Sequence, residues 1–275
     1  MKPICVASVY SNDNVENQKW LDLQLWWLGK TTPNAEHHAV IMEQTSEEGE
    51  ASFREKTNVI IPDRSPYQVN QWPPKSCHAH LRGLHTIVDF FKKNIDDYDS
   101  LLILDSDAFP VMPNWASRLK YMLHNTCHGK DIAIPLRFEH IENRLHACVL
   151  FCLPHAVDNL DFQHRKMPAG DMLGLNEHDT TIGVYQTQLR NRAFPLLNSN
   201  QHKVHPLMCM VYYNMFYHHG AGSRTVSYRG TANYWDTVLG GYVGNTDLAE
   251  QQRAFTEQLF EDSPKFIHYL RGWAR

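Results

Sequence analysis

Residues 101–110 read LLILDSDAFP, and the fold turns on how that stretch is read. Leu101, Leu102, Ile103 and Leu104 form a continuous apolar run, the pattern of a strand covered on both faces. The run ends abruptly in Asp105, Ser106 and Asp107, and Pro110 follows. An unpaired buried carboxylate is expensive, so two of them two positions apart demand solvent, a basic partner or a cation.

The residues upstream place this strand in a larger pattern. ICVASVY (4–10) reads as a buried strand followed by the turn SNDN. NQKWLDLQLWWLG (17–29) is apolar around most of a helical circumference, so it is expected to pack on more than one side and to stop at Gly29. HAVIME (38–43) and TNVIIPD (57–63) read as two further strands. Leu81, Leu84, Val88, Phe91 and Ile95 recur at steps of three and four, a helical stripe whose last turn carries Lys92 and Lys93. Strand and helix alternate up to Asp105, which predicts a mainly parallel sheet with helices on both faces. Ligands of such sheets bind beyond the carboxyl ends of the strands, and Asp105 and Asp107 stand at one.

Downstream, IAIPL (132–136) and HACVLFCLP (146–154) read as strands, whereas residues 155–205 carry no clear period. PLMCMVYYNMFYHH (206–219) is apolar throughout and is compatible with helix or strand. DLAEQQRAFTEQLF (247–260) reads as a helix capped by Asp247, with Glu250 in capping-box spacing.

Composition narrows the function classes. The 275 residues suffice for a sizeable core, and 43% hydrophobic against 20% charged residues is globular rather than disordered. With 26 Lys+Arg against 30 Asp+Glu, the net charge of −4 offers no basic field for nucleic acid. MKPICVASVY reads as a first strand rather than a signal peptide, and no run reaches the ~18–20 apolar residues of a membrane span. The expected setting is cytoplasmic, with peripheral membrane association left open. The six cysteines form no CxxC pair and are expected as buried free thiols.

The carboxylate pair has its own chemistry. Hard oxygen ligands suit Mg²⁺ or Mn²⁺, and these cations bridge protein carboxylates to diphosphate oxygens. The plain alternative is a pair of loop-capping aspartates. HHGAGSR (218–224) offers imidazole, then glycines that let backbone N–H groups approach an anion, then Ser223 and Arg224 as donors. NEHDTTIGVY (176–185) sets Glu177 and Asp179 just ahead of an expected helix, where Asp179 also has a plain reading as a cap.

LLILDSDAFP, HDTTIG and YHHGAGSR, in this order, resemble a GT-A-fold glycosyltransferase of the family 2 type. In that family an apolar strand ends in DxD, a later [ED]-D-x-x-[LI]-G motif supplies a catalytic aspartate, and an H-x-G-x-x-S segment closes over the donor diphosphate. VIMEQTS resembles the strand end that reads the nucleotide base, and LHACVLFCLPHAV the strand before the acceptor region. The resemblance spans nearly the whole chain, with each motif short and the ordered set carrying the weight. Two positions depart from it: His178 stands where an acidic residue is usual, and Glu43 replaces an aspartate.

The resemblance implies a single GT-A (Rossmann-like) α/β domain over 1–275, a mixed, mainly parallel sheet flanked by helices with acceptor-side elements toward the C-terminus. Residues 1–110 would form the nucleotide-sugar half and 111–275 the acceptor and catalytic half. It implies Asp105, Asp107 and His218 as ligands of Mn²⁺ or Mg²⁺, with His219 as the rival imidazole. It assigns Ser8, Tyr10, Glu43, Arg82, Asp105, Ser106, Ser223 and Arg224 to the donor and Asp179 to the catalytic base. An imidazole ligand favours Mn²⁺. The implied partners are a nucleotide-sugar donor, UDP-linked by preference, and a glycan or glycolipid acceptor, joined by an inverting transfer. Asp171 is a candidate for acceptor hydroxyls, although a turn aspartate beside Gly170 is its plainer reading. Trp273 is a candidate for stacking on the donor.

Two other classes compete. A haloacid-dehalogenase-type phosphatase also begins from a strand ending in DxD, but near its N-terminus; here three strands precede the motif. A catalytically silent sugar-nucleotide or glycan-binding protein on the same fold would keep the donor site and lose turnover.

Overall fold

The computed structural model describes residues 2–10, 15–42, 45–62, 75–126, 129–139, 142–160, 162–166, 178–182, 191–200, 209–220 and 246–271. The first half alternates strand and helix, with α2 added between two segments read only as strands: β1 (Ile4–Tyr10), α1 (Val15–Thr31), β2 (Ala35–Ile41), α2 (Glu47–Lys56), β3 (Asn58–Ile60), α3 (Lys75–Lys93) and β4 (Ser100–Asp105). β5 (Ala108–Pro110), α4 (Trp115–Tyr121), β6 (Ile132–Glu139), β7 (Glu142–Leu145) and β8 (Val149–Cys152) follow. Then come β9 (Phe162–Lys166), β10 (His178–Ile182), β11 (Ala193–Leu196), β12 (Met210–Tyr212), β13 (Phe216–His218), α5 (Thr246–Glu261) and α6 (Ser263–Arg271).

The main sheet runs β11-β6-β8-β4-β1-β2-β3, with β7 attached to β6. The pairs β1–β2, β1–β4, β2–β3 and β6–β11 are parallel, and β8 lies antiparallel between β4 and β6. This is the mixed, mainly parallel α/β architecture expected. The chain leaves β1 toward β2 on one side and returns through α3 to β4 on the other. The order therefore reverses between β1 and β4, the kind of switch point that opens a crevice at the strand ends.

Side chains of β1 alternate across the sheet. Cys5, Ala7 and Val9 meet the α3 stripe of Leu84, Val88 and Phe91, with Leu81 and Ile95 at its margin. Ile4 and Val6 join Leu28, Trp115 and Leu119 on the opposite face. α1 serves three clusters, since Trp20 and Trp27 enter a second and Leu21 a third. That multiple packing is what its all-round apolar sequence requires.

Gly29 does not end α1, which continues to Thr31. A Cβ at Gly29 would meet nothing within 4 Å, so it is an ordinary helical residue carried by its packed neighbours. α5 starts at Thr246, which makes Asp247 part of the first turn rather than its cap. Residues 210–218 settle as a hairpin, β12–β13, that pairs through β13 with β5 in a small antiparallel sheet. Both its strands are buried on two faces, so no alternation showed in the sequence. Its turn places Tyr213 and Asn214 at φ 52° and 55° without a glycine to mark it. Cys5, Cys148, Cys152 and Cys209 are buried free thiols, as expected; the side chains of Cys77 and Cys127 lie outside the described residues. Among the described residues no helix is long and apolar enough to cross a membrane.

Candidate functional site

Asp105 ends β4 and Asp107 immediately precedes β5, with Ser106 buried in the turn between them. β13 then pairs antiparallel with β5, setting His218 opposite Ala108. That register brings His218 Nε2 to 3.5 Å from Asp105 Oδ2 and 3.4 Å from Asp107 Oδ1. Asp107 and His218 are nearly sealed from solvent, whereas Asp105 keeps a fifth of its side chain exposed. The structure thus gathers Asp105, Asp107 and His218 into one cluster whose donor atoms all lie within 4.8 Å of one another.

The rival imidazole points elsewhere. His219 Nδ1 pairs with Tyr217 Oη at 2.6 Å, and its Nε2 with Thr256 Oγ1 of α5 at 2.9 Å. Adjacent residues of a strand face opposite sides, so only one of the pair can reach the carboxylates. His218 is that residue.

Three neighbours of the cluster were not singled out in the sequence. His80 of α3 brings Nε2 to 3.5 Å from Asp105 Oδ1, so imidazoles flank both oxygens of that carboxylate. It stands one helical turn before Leu84 on the face that meets the sheet, a relation visible in the stripe once the strand order is known. His146 lies beside His218, with ring centroids 6.0 Å apart. Cys148 adjoins both: burial works to raise its thiol, yet His218 and His146 pull it down to about 6.

The charges reinforce one another. Burial alone would raise Asp105, but hydrogen bonding to His218 and His80 holds it well below the usual carboxylate range. Asp107 is likewise lowered, with burial opposed chiefly by His218. His218 stands well above its ordinary value; burial opposes this, while Cys148, Asp107 and Asp105 impose it. Two carboxylates and one imidazole suit Mn²⁺ or Mg²⁺ in donor type. Ligands at right angles around such an ion stand about 3 Å apart for bonds of ~2.1 Å, so the two imidazole–carboxylate separations of 3.4–3.5 Å need little adjustment.

A cavity of about 220 Å³ opens farther along the same edge of the sheet. Ile41, Met42, Ile61 and Pro62 give it apolar walls, and Glu47, Glu50 and Arg82 give it charge. Ile41 pairs with Tyr10, and Asp105 with Val9 of the same strand. Cavity and carboxylates are thus about two strand spacings apart, roughly 10 Å.

Arg82, assigned to the donor from sequence, lines this cavity. Ser8 and Tyr10 do not face open space. Both are fully buried, and their hydroxyls pair with Gln24 Oε1 of α1 at 2.9 Å. The even positions of β1 point at α1, and the donor assignment of these two side chains is corrected to a tie between strand and helix. Asp179 lies in β10, opposite Arg165 of β9; the helix expected after it falls outside the described residues. The β9–β10 ribbon packs against α3. Glu43, Asp171, Glu177, Ser223, Arg224 and Trp273 lie outside the described residues.

No protein-family model and no curated protein matches the sequence. Among solved structures, a protein of Desulfovibrio desulfuricans G20 described as a nucleotide-diphospho-sugar transferase aligns over 94% of this chain and 98% of its own, at 13% identity and a TM-score of 0.39. The galactosyltransferase LgtC, solved with donor and acceptor sugar analogues, aligns over 57% of this chain and 60% of its own, at 13% identity and a TM-score of 0.37. Glucosyl-3-phosphoglycerate synthase of Mycobacterium tuberculosis, solved with Mn²⁺, UDP and phosphoglyceric acid, aligns over 58% of this chain and 59% of its own, at 12% identity and a TM-score of 0.39. The match thus spans about three fifths of the length of the last two. At these scores the likenesses carry no functional argument, which must come from the site.

Proposed function

We propose that the protein is a metal-dependent GT-A glycosyltransferase that moves one sugar from a nucleotide diphosphate-sugar to a hydroxyl of a glycan or lipid-linked acceptor. The observation that carries this reading is the convergence of Asp105, Asp107 and His218 at a strand end beside the switch point of the sheet. A nucleoside diphosphate is extended, with a flat base of apolar faces and polar edges at one end and anionic oxygens at the other. The cavity with apolar walls and the acidic cluster, two strand spacings apart on one edge, match those two ends.

Asp105, Asp107 and His218 would hold the cation, with Mn²⁺ favoured by the imidazole. Bound there, it would offset the negative charge that grows on the leaving diphosphate. Arg82 supplies a positive charge at the cavity, and Ser223 and Arg224 are assigned to the diphosphate by the resemblance. Asp179 takes the proton from the acceptor hydroxyl as its oxygen bonds to the anomeric carbon and the carbon–diphosphate bond breaks. Direct displacement of this kind inverts the anomeric centre, and general-base help is worth roughly 10²–10⁴-fold. A UDP-sugar is the favoured donor. A lipid-linked acceptor would bring the protein to a cytoplasmic membrane surface.

The test is thermal stability with UDP and GDP in Mn²⁺, Mg²⁺ or EDTA, on wild type and Asp107→Asn, followed by turnover of the matching donor sugars. A metal-dependent rise with one nucleotide, lost in the variant, supports the reading and names the donor class. No rise with any pairing overturns it. Metal-dependent binding without release of sugar or nucleotide would identify a silent binding protein.

A further inference from the structure

We infer that Gln24 of α1 is the positioning residue of the cation site, its carboxamide fixing the DSD turn so that both carboxylates converge on His218. The inference rests on the metal-dependent reading above. Gln24 is fully buried and polar in the middle of a helix that otherwise feeds three apolar clusters. Such a side chain is retained only where its groups are satisfied.

Its amide nitrogen donates to the carbonyl oxygens of Asp105, at 3.1 Å, and Ala108, at 2.6 Å. Those carbonyls bracket the turn, one at the first carboxylate and one directly after the second. Ala108 is also the residue paired with His218. One side chain therefore touches the turn that aims the carboxylates and the strand that delivers the imidazole. The rest of the turn is held by backbone, with Asp105 N donating to Cys148 O and His219 N to Asp107 O.

The opposite end of the carboxamide explains why it stays put. With both carbonyls claiming the amide nitrogen, Oε1 must face acceptor-seeking groups, and it does. Ser8 Oγ and Tyr10 Oη donate at 2.9 Å, and His37 Nε2 approaches to 2.8 Å. Burial, and secondarily His38, pushes His37 down to about 3, so it is neutral. Its partner Thr57 Oγ1, 2.7 Å from Nδ1, donates its own proton to the His37 carbonyl oxygen, so the ring proton sits on Nδ1 and the two hydroxyls are the donors to Oε1. The two hydroxyls of β1 thus lock the oxygen, and the locked amide grips the turn. An apolar residue could fill the same space but would take the amide from both carbonyls and leave the turn to its backbone bonds alone.

The test compares Mn²⁺ affinity and thermal stability for wild type, Gln24→Met and Asp131→Asn. Asp131, just before β6, pairs with Arg192 at the start of β11 and with His155 after β8, away from the cluster, and serves as a stability control. Loss of an orienting partner around a metal site typically costs about 10–100-fold in affinity. Gln24→Met should fall in that range, while Asp131→Asn loses stability and keeps wild-type affinity. Wild-type affinity in folded Gln24→Met would overturn this inference and leave the functional reading intact; wild type that binds no divalent cation would overturn both. If Gln24→Met does not fold, the side-chain amide signal of Gln24 in wild type gives the answer. It should shift as Mg²⁺ saturates the protein, and an unmoved signal would overturn the inference.

Discussion

His218 Nε2 lies 3.4 Å from Asp107 Oδ1 because β13 pairs with β5 in a register that sets His218 against Ala108. Strand pairing, rather than any local motif, joins residues distant in the chain into one cluster. A shift of one residue in that register would turn His218 away and present His219 instead.

That geometry separates the two histidines by experiment. His218→Asn should weaken Mn²⁺ at least about tenfold, through loss of a ligand. His219→Phe removes the partners of Tyr217 and Thr256, so it should cost about 1–3 kcal/mol of stability and leave Mn²⁺ affinity near wild type. Calorimetric titration with Mn²⁺ and urea unfolding of both variants provide the check.

Stability without metal should depend on pH through the same cluster. His218 is raised well above its ordinary 6.5, against burial, by Cys148, Asp107 and Asp105. A raised group contributes fully below its unfolded value, and the contribution is lost as pH rises through the folded one. In EDTA, wild type should therefore lose stability in the alkaline range more steeply than His218→Asn. The lowered carboxylates act in the opposite sense, contributing above their unfolded values and failing as pH falls through the folded ones.

Cation binding should run against that alkaline loss. A metal needs the unprotonated imidazole, so apparent Mn²⁺ affinity should rise with pH as the proton on His218 is displaced. Titrations at about pH 6 and about pH 8.5 measure this directly. An affinity that does not change between them would remove His218 from the ligand set.

Arg82 divides donor binding from cation binding. It lines the cavity and is not one of the three clustered donors. Arg82→Gln should weaken the nucleoside diphosphate about tenfold or more, the usual scale of a lost charge-assisted hydrogen bond, with Mn²⁺ affinity unchanged. Parallel titrations with metal alone and with nucleotide plus metal distinguish the two effects.

Gly83 lets α3 lie directly against Val9 of β1. A Cβ there would lie 2.6 and 2.7 Å from the two γ-carbons of Val9, and a short β-branched neighbour has no slack to give. Gly83→Ala should lower stability by about 1–3 kcal/mol even though alanine is the better helix former. Urea unfolding reads the difference.

The strands and helices up to Asp105, α2 excepted, were legible because each is encoded by neighbouring residues; α2 buries only Gly49 and Phe53 and so shows no apolar stripe. The run Leu101–Leu104 states its own burial, and the stripe from Leu81 to Ile95 states its own face. The carboxylates at the end of β4 were legible for the same reason, since their cost appears wherever an apolar strand meets them.

Other features depended on partners far away in sequence. Nothing local distinguished His218 from His219, or marked 210–218 as a hairpin, because a segment buried on both faces has no period. Ser8 and Tyr10 sit at a strand end suited to a ligand, and only the packing of α1 shows their hydroxyls joined to Gln24. His80 and Gln24 gain meaning only once α3 and α1 are set on opposite faces of the sheet. The sequence by itself determined which segments are buried and where charge had to be compensated, since periodicity and desolvation act between neighbours. The tertiary structure decided which groups compensate it, because strand order and register are fixed by the whole chain.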